Sequence, residues 1–268
     1  MTTLAAPTRV GGVEVAVVGA GLPVTVFAHG LGGSSAETRP LALRTPGTRV
    51  LLTFRGHGAS DTIPGGWSYD DLADDLRAVA DAFDATAAVG LSLGSGALLR
   101  LLSQDPDRFE RLAFVLPAAL DETREDLATE RLLRLADAMI SGDEDRVVQL
   151  LLDEVPPQVR HRGGTRLLVD RRAKQLLNTV PPHPKRPEAP LPRVVALSAV
   201  TAPALVVGQA GDALHPATVA DRLAAALPSA ELLQLEPGGV FWTATRQVQD
   251  ALARHLAADA VPTSAEVS

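Results

Sequence analysis

Cysteine is absent from the 268-residue chain. Its absence excludes disulfides, thiolate metal sites and a cysteine nucleophile. It also fits a cytoplasmic protein, which is the localisation we expect. Basic residues are few relative to acidic ones, giving a net charge of −7, and no basic stripe stands out along the chain. Because a nucleic-acid binder needs such a stripe to neutralise phosphates, we expect no nucleic-acid partner.

Long uninterrupted apolar runs are also missing. The most apolar early stretch, residues 11–28, is broken by Glu14, Pro23 and four glycines. A membrane helix needs about 20 consecutive apolar residues, and a signal sequence needs an unbroken apolar centre. The stretch therefore predicts two strands and a turn in a soluble protein, with no membrane partner.

Short β-branched runs alternate with helical patterns along most of the chain, which predicts an α/β fold with a mostly parallel sheet and helices on both faces. Ser68, followed by acidic residues, is a candidate N-cap. The predicted strands are 13–18, 24–28, 49–54, 87–91, 112–116, 204–207 and 231–235, and the predicted helices outside the middle segment are 69–83, 93–102, 216–227 and 241–256.

The alternation stops between Pro117 and about Val200, where only helical patterns such as 127–139 and 146–152 occur, followed by the proline-rich passage 181–192. A helical segment of this length between two sheet strands is typical of an inserted cap. We therefore expect residues 1–116 and 201–268 to form one α/β core and residues 117–200 to form a helical cap.

Residues 90–94 read Gly-Leu-Ser-Leu-Gly, with an apolar strand before them and a helical pattern after them. A strand-to-helix turn this tight needs small residues on both sides of the serine and exposes its Oγ at a helix N-terminus. The sequence therefore predicts that Ser92 is a nucleophile.

A glycine-rich loop, His-Gly-Leu-Gly-Gly-Ser-Ser at 29–35, directly follows the predicted strand 24–28. Such a loop allows a backbone amide to approach a substrate carbonyl oxygen. The amides of Leu31 and Leu93 are accordingly the predicted oxyanion-hole pair.

In these motifs the chain resembles the α/β-hydrolase superfamily, in particular its cap-bearing ester and lactone hydrolase branch. The resemblance spans about residues 10 to 258 and also rests on three further segments, 54–61, 69–76 and 206–216. It implies a pocket between cap and core and a triad acid at Asp212. No metal or organic cofactor is implied.

The chain departs from this family in one position. The triad histidine of the family follows the last strand, in a loop that usually reads Gly-Gly-His-aromatic, whereas residues 238–241 read Gly-Gly-Val-Phe. Valine cannot accept a proton, so Val240 leaves Ser92 without its usual base. Loss of a triad histidine costs roughly 10⁶ in kcat, which predicts a degenerate triad unless another group substitutes.

The remaining histidines are weaker candidates for the base. His57 and His215 lie near the expected pocket, although His57 is expected to be structural and His215 to cap the next helix. His29 is expected to support its own loop, and His255 to be structural. His161 and His183 fall in the expected cap.

Three functions remain open at this point. The leading one is hydrolase-type chemistry on a small ester, lactone or thioester, with Asp212 as the acid or as a repurposed polar group. The second is non-hydrolytic catalysis, such as cyclisation, elimination or rearrangement of a metabolite. The third is an inactive protein that binds a small molecule. The sequence does not indicate an oligomeric state.

Overall fold

The sheet is the framework of the molecule. A computed structural model describes residues 8–123, 127–177 and 188–257. Within these ranges, eight strands form one sheet in the order β1-β2-β4-β3-β5-β6-β7-β8. β1 and β2 run antiparallel to their neighbours, whereas the strands from β4 to β8 across the sheet are parallel. The strands are β1 (Thr8–Val10), β2 (Val13–Val18), β3 (Val24–Ala28), β4 (Thr48–Thr53), β5 (Ala87–Leu91), β6 (Arg111–Val115), β7 (Ala204–Gln209) and β8 (Ala230–Leu235).

Helices cover both faces of this sheet, because successive side chains of a strand point to opposite faces. In β4, Val50 and Leu52 belong to one apolar cluster and Leu51 to another. The first cluster is covered by α2 (Tyr69–Ala82), α3 (Leu93–Gln104) and α8 (Ala217–Ala226), and the second by α1 (Ser35–Ala42) and α9 (Thr245–Leu256). The predicted α/β fold with a mostly parallel sheet is therefore confirmed.

Most element boundaries agree with the sequence patterns to within two residues. Strand β1 and helix α1 were not predicted. Helix α9 begins four residues later than expected, because Trp242 and Thr243 donate their amides to the Gly239 carbonyl in a separate turn. No helix in the described ranges is long and apolar enough to cross a membrane.

Between β6 and β7 the described chain is helical and contains no strand. It forms α4 (Leu127–Ser141), α5 (Glu144–Glu154), α6 (Pro157–Arg160), α7 (Gly163–Leu177) and a 3₁₀ helix (Val194–Ala199). Helices α4 to α7 share an apolar cluster of their own, which includes Ala138, Val148, Val159 and Ala173. His183, residues 181–187 of the proline-rich passage and the tail from residue 258 lie outside the described residues.

Ser68 begins α2 in the way that the sequence predicts. Its side chain accepts the amide of Asp71, and the Asp71 side chain in turn accepts the amide of Ser68. This reciprocal arrangement satisfies two donors that the first turn of a helix would otherwise leave unpaired.

Replacing Ser68 with alanine removes one half of this capping box. We expect Ser68→Ala to lower the free energy of unfolding by about 1 kcal/mol, measured by urea denaturation. Ser198→Ala is the matched control, since this exposed serine bonds, among the described residues, only to the nearby Val195 carbonyl and its loss should cost less than about 0.5 kcal/mol. Equal effects of the two substitutions would contradict a capping role.

Candidate active site

Ser92 lies in the turn between β5 and α3, at the carboxyl ends of the parallel strands. Its backbone adopts φ 50° and ψ −108°, a conformation that residues with a side chain rarely occupy. The Ser92 amide donates to the Val115 carbonyl at 2.9 Å, and the Ser92 carbonyl accepts the Gly96 amide at 3.2 Å. These bonds to β6 and α3 hold the strained residue in place.

The glycines on both sides of Ser92 are required by close backbone contacts. A Cβ atom on Gly90 would lie 2.5 Å from the Gly94 carbonyl oxygen, and one on Gly94 would lie 2.7 Å from the carbonyl carbon of Ala28 in β3. Real Cβ atoms do not approach backbone atoms so closely, so the turn could not keep this shape with larger residues.

The imidazole of His215 connects Ser92 to Asp212. His215 Nε2 lies 2.9 Å from Ser92 Oγ, and His215 Nδ1 lies 2.9 Å from Asp212 Oδ2. Asp212 and His215 both lie in the loop between β7 and α8, three residues apart. The other carboxylate oxygen of Asp212 accepts the amides of Leu214 at 2.8 Å and His215 at 3.1 Å, which fixes the carboxylate within its own turn.

The proton positions in this chain of contacts follow from the charge of Asp212. Burial raises the pKa of Asp212, but the hydrogen bonds and charge of His215 and the two backbone amides outweigh it and hold this pKa below its usual value. An ionised carboxylate only accepts hydrogen bonds, so His215 Nδ1 carries the hydrogen that it donates to Asp212. Nε2 is then free to accept the hydroxyl hydrogen of Ser92.

The expectation that His215 caps the following helix is wrong. Helix α8 begins after Pro216 without a side-chain cap, because the Asp212 turn directs the imidazole towards Ser92 instead. Val240 stands where the resemblance places the histidine, and its side chain is buried in the apolar cluster that contains Leu235 and Val248. Valine at this position therefore does not leave Ser92 without a histidine.

The other histidines of the described chain make their contacts elsewhere. His57 is 3% exposed, and its Nδ1 lies 3.3 Å from the Arg55 carbonyl oxygen. His255 Nε2 contacts the Leu112 carbonyl oxygen, and His161 is exposed at the end of α6. Within the described chain, only His215 among the histidines is hydrogen-bonded to Ser92.

His29 supports its own loop, as expected. Its Nε2 accepts the Phe54 amide at 3.0 Å, so its Nδ1 carries a hydrogen and donates to the Gly30 carbonyl at 2.7 Å. Burial, with a contribution from His57, lowers the pKa of His29 well below its usual value, so the ring is neutral.

The two amides predicted to form an oxyanion hole flank the Ser92 region. Leu31 follows Gly30 in the glycine-rich loop, and Leu93 is the first residue of α3. In the part of the chain that the structure describes, neither amide donates a hydrogen bond to a protein acceptor. In the same ranges, no group of three or more metal-binding side chains is close enough to hold a metal ion.

Comparison with known proteins identifies the family. The sequence model of the alpha/beta hydrolase family matches residues 25–255. The chain belongs to the α/β-hydrolase family. It is 31% identical over 241 residues to a protein of Caulobacter segnis named "Putative carbamate hydrolase RutD", covering 84% of this chain and 87% of that one.

Solved structures share the fold of this α/β-hydrolase at lower sequence identity. A thermophilic esterase from Thermogutta terrifontis superimposes with a TM-score of 0.71 at 19% identity, covering 96% of this chain and 100% of that one. Est816, described as an N-acyl homoserine lactone degrading enzyme, gives a TM-score of 0.67 at 20% identity, covering 93% and 98%. At these identities the likeness concerns the fold.

Two residues near the site of this α/β-hydrolase were not identified from the sequence. Ser95 Oγ donates to the Gly90 carbonyl at 2.8 Å and so supports the turn from inside. Glu37 in α1 accepts the Gly30 amide at 2.8 Å. A glutamate in the first turn of a helix is common, so no sequence signal distinguished Glu37 from an ordinary helix-terminal acid.

The strain at Ser92 makes a prediction about stability. We expect Ser92→Gly to be more stable than Ser92→Ala, with a free energy of unfolding about 1 kcal/mol higher, because glycine adopts φ 50° freely whereas alanine keeps the strain. Both variants lose the same hydroxyl, so the comparison isolates the backbone.

The control pair is at Ser103, in the last turn of α3. There the backbone is helical, so glycine should be less stable than alanine, by at most about 1 kcal/mol. The strain interpretation is wrong if glycine is also the less stable of the two at position 92.

Burial of His57 predicts a pH dependence of stability. Burial, helped by the charge of Arg172, lowers the pKa of His57 from its ordinary 6.5 to about 4, against the opposing effect of the Arg55 carbonyl. The unfolded chain therefore binds a proton at higher pH than the folded one. This stabilisation is complete above about pH 6.5 and is lost as the pH falls towards 4, by about 3 kcal/mol in total.

Urea denaturation between pH 7 and pH 4.5 measures this loss. His57→Gln should reduce the slope by about one proton and leave the part that the buried His29 contributes, whereas His161→Gln, at an exposed histidine, should retain the slope of the parent chain. An equally steep fall in His57→Gln would show that other groups cause it.

Proposed function

We propose that the protein is a serine hydrolase that cleaves a small ester, lactone, thioester or carbamate through an acyl-enzyme on Ser92. The observation that carries this proposal is the position of His215, whose two ring nitrogens each lie 2.9 Å from a functional partner, Ser92 Oγ and Asp212 Oδ2. A hydroxyl, an imidazole and an ionised carboxylate connected in this order are the groups that activate a serine for attack on a carbonyl carbon.

The reaction follows from the proton positions. As Ser92 Oγ attacks the substrate carbonyl, His215 Nε2 takes the hydroxyl proton, and Asp212 stabilises the imidazolium that results. The amides of Leu31 and Leu93 donate to the carbonyl oxygen as it becomes negative. His215 then gives its proton to the leaving group, and water releases the acyl group from Ser92 with His215 acting as base again.

The substrate class rests on the relative that is similar over most of the chain. The C. segnis protein is named for carbamate hydrolysis. Carbamates, esters, lactones and thioesters all have a carbonyl carbon bound to an oxygen, nitrogen or sulfur leaving group, so the same catalytic groups act on all of them. We further propose that helices α4 to α7 act as the cap over this site. Their contacts with the loops that follow β3 and β8, through Gln175 and Trp242, support this assignment.

The sequence leaves non-hydrolytic catalysis and simple ligand binding open because Val240 provides no base for Ser92. The contact between His215 and Ser92 removes that reason. No other feature of the described residues favours either function over hydrolysis.

Hydrolysis of p-nitrophenyl acetate and butyrate tests the proposal. We expect Ser92→Ala and His215→Ala each to reduce kcat by roughly 10⁴- to 10⁶-fold, because serine and its base act as a unit. His57→Gln, at a buried histidine that makes no hydrogen bond to Ser92 in the described structure, should change kcat by less than about 10-fold. Undiminished turnover in Ser92→Ala would contradict the proposal.

Position 240 provides a second comparison. Because Val240 is buried among apolar side chains, adding Val240→His to His215→Ala should not restore activity. Recovery of turnover in this double variant would mean that a histidine at position 240 still reaches Ser92. In that case position 240 lacks a base because its residue is valine, and not because its side chain is buried away from Ser92.

A further inference from the structure

The orientation of the Leu31 amide is set by the peptide bond that joins it to Gly30. The Gly30 carbonyl accepts hydrogen bonds from the Gly33 amide at 2.9 Å and from His29 Nδ1 at 2.7 Å. Gly30 to Gly33 thus form a turn, and its third residue, Gly32, has φ 66°, as a type II turn requires. Because a trans peptide is planar, fixing this carbonyl directs the Leu31 N–H to the opposite side.

The Glu37 carboxylate holds the same turn from the other end. Its Oε2 accepts the Gly30 amide at 2.8 Å, so the amide and the carbonyl of Gly30 are both anchored. A Cβ atom on Gly30 would lie 3.3 Å from this oxygen and 3.5 Å from Ser92 Cβ. The carboxylate is therefore close to the nucleophile, although it makes no hydrogen bond to Ser92 in the described structure.

Helix α7 supplies the partner of this carboxylate. Arg172 Nη2 lies 3.7 Å from Glu37 Oε1, and both side chains are about three-quarters shielded from solvent. Next to it, Gln175 Nε2 donates to Ser34 Oγ at 3.0 Å, and Leu176 Cδ2 would lie 3.1 Å from a Cβ atom on Gly32. One oxygen of Glu37 thus faces the loop after β3 while the other faces a positive charge from α7.

We propose that Glu37 and Arg172 form a positioning pair for the oxyanion hole: Glu37 fixes the turn that aims the Leu31 amide, and Arg172 neutralises the carboxylate. This role rests on the function proposed above. Glu37 needs Arg172 because an isolated negative charge near Ser92 repels the oxyanion that forms during attack. With Arg172 in place, the chain keeps the hydrogen bond to Gly30 and cancels most of that repulsion.

Three expectations for kcat follow. Glu37→Met keeps the length of the side chain but removes the acceptor for Gly30, and we expect a loss of about 10- to 100-fold, approaching that of an oxyanion-hole donor. Glu37→Gln retains an acceptor oxygen and should lose less than about 5-fold. Arg172→Met leaves the carboxylate uncompensated and should lose about 10-fold.

The double variant Glu37→Gln/Arg172→Met separates positioning from simple structural support. Removing the negative charge should relieve the repulsion that Arg172→Met creates, so the double variant should be faster than Arg172→Met alone. If the two residues only stabilised the fold, the coupling between the substitutions would appear in the free energy of unfolding, and kcat per folded enzyme would not change.

Kinetics of p-nitrophenyl acetate hydrolysis and inhibition by phenylboronic acid provide the readouts. The boronic acid forms a tetrahedral adduct with a nucleophilic serine oxygen and so mimics the oxyanion. We expect its inhibition constant to rise in parallel with the loss in kcat, while KM stays within about 3-fold of the parent value. Arg166→Gln is the matched control on α7, because this exposed arginine pairs with Asp170 on its own helix.

The outcomes separate the two proposals. If Ser92→Ala is inert while Glu37→Met keeps the parent kcat and boronate affinity, the positioning role is wrong and the proposed hydrolysis stands. If Ser92→Ala turns over the ester as fast as the parent, the hydrolysis proposal fails and the positioning role fails with it. If Glu37→Met does not fold, the comparison of Arg172→Met with the double variant decides, and a double variant no faster than Arg172→Met overturns the role.

Discussion

The hydrogen bond between His215 Nε2 and Ser92 Oγ joins two turns that are 123 residues apart in the chain. One turn ends β5 and the other ends β7, and β6 lies between these strands in the sheet. Parallel strands end at the same edge, which brings both turns to one side of the molecule. The turn after β5 contributes the nucleophile, and the turn after β7 contributes both Asp212 and His215. The proposed chemistry therefore depends on the contact between His215 and Ser92.

The acid and the base come from one short turn, which has a physical consequence. Asp212 accepts the amides of Leu214 and His215 with one oxygen and the imidazole with the other, so the positions of carboxylate and imidazole are fixed by local geometry. In the pattern on which the resemblance was based, the histidine arrives from the loop after the last strand. In this chain the corresponding residue of that loop, Val240, is buried in an apolar cluster with side chains of α9.

Much of the fold was predictable because it depends on local patterns. The alternation of β-branched runs with helical periods gave the strand positions, and Ser68 with its acidic neighbours marked the start of α2. The glycines on both sides of Ser92 indicated the turn, because only glycine fits where backbone atoms approach as closely as they do here. Strand β1 is only three residues long, too short for periodicity to identify.

The role of His215 could not be read from the sequence, because it depends on the direction of a side chain. A histidine three residues after an aspartate is equally compatible with a helix cap and with a hydrogen bond to that aspartate. The Asp212 turn, in which the carboxylate accepts the amides of Leu214 and His215, decides between them. Glu37 and Arg172 were missed for a related reason, since their contact joins α1 to a helix of the middle segment and only tertiary packing brings them together.

The most direct test of His215 as the base for Ser92 is covalent labelling by a fluorophosphonate, followed by peptide mass spectrometry, because it requires no knowledge of the substrate. We predict a single phosphonyl adduct on Ser92 in the parent chain and a labelling rate reduced at least about 10³-fold in His215→Asn, where the serine has no base. Labelling of Ser92 at the parent rate in His215→Asn, or no adduct on Ser92 in the parent, would contradict the assignment of His215 as the base.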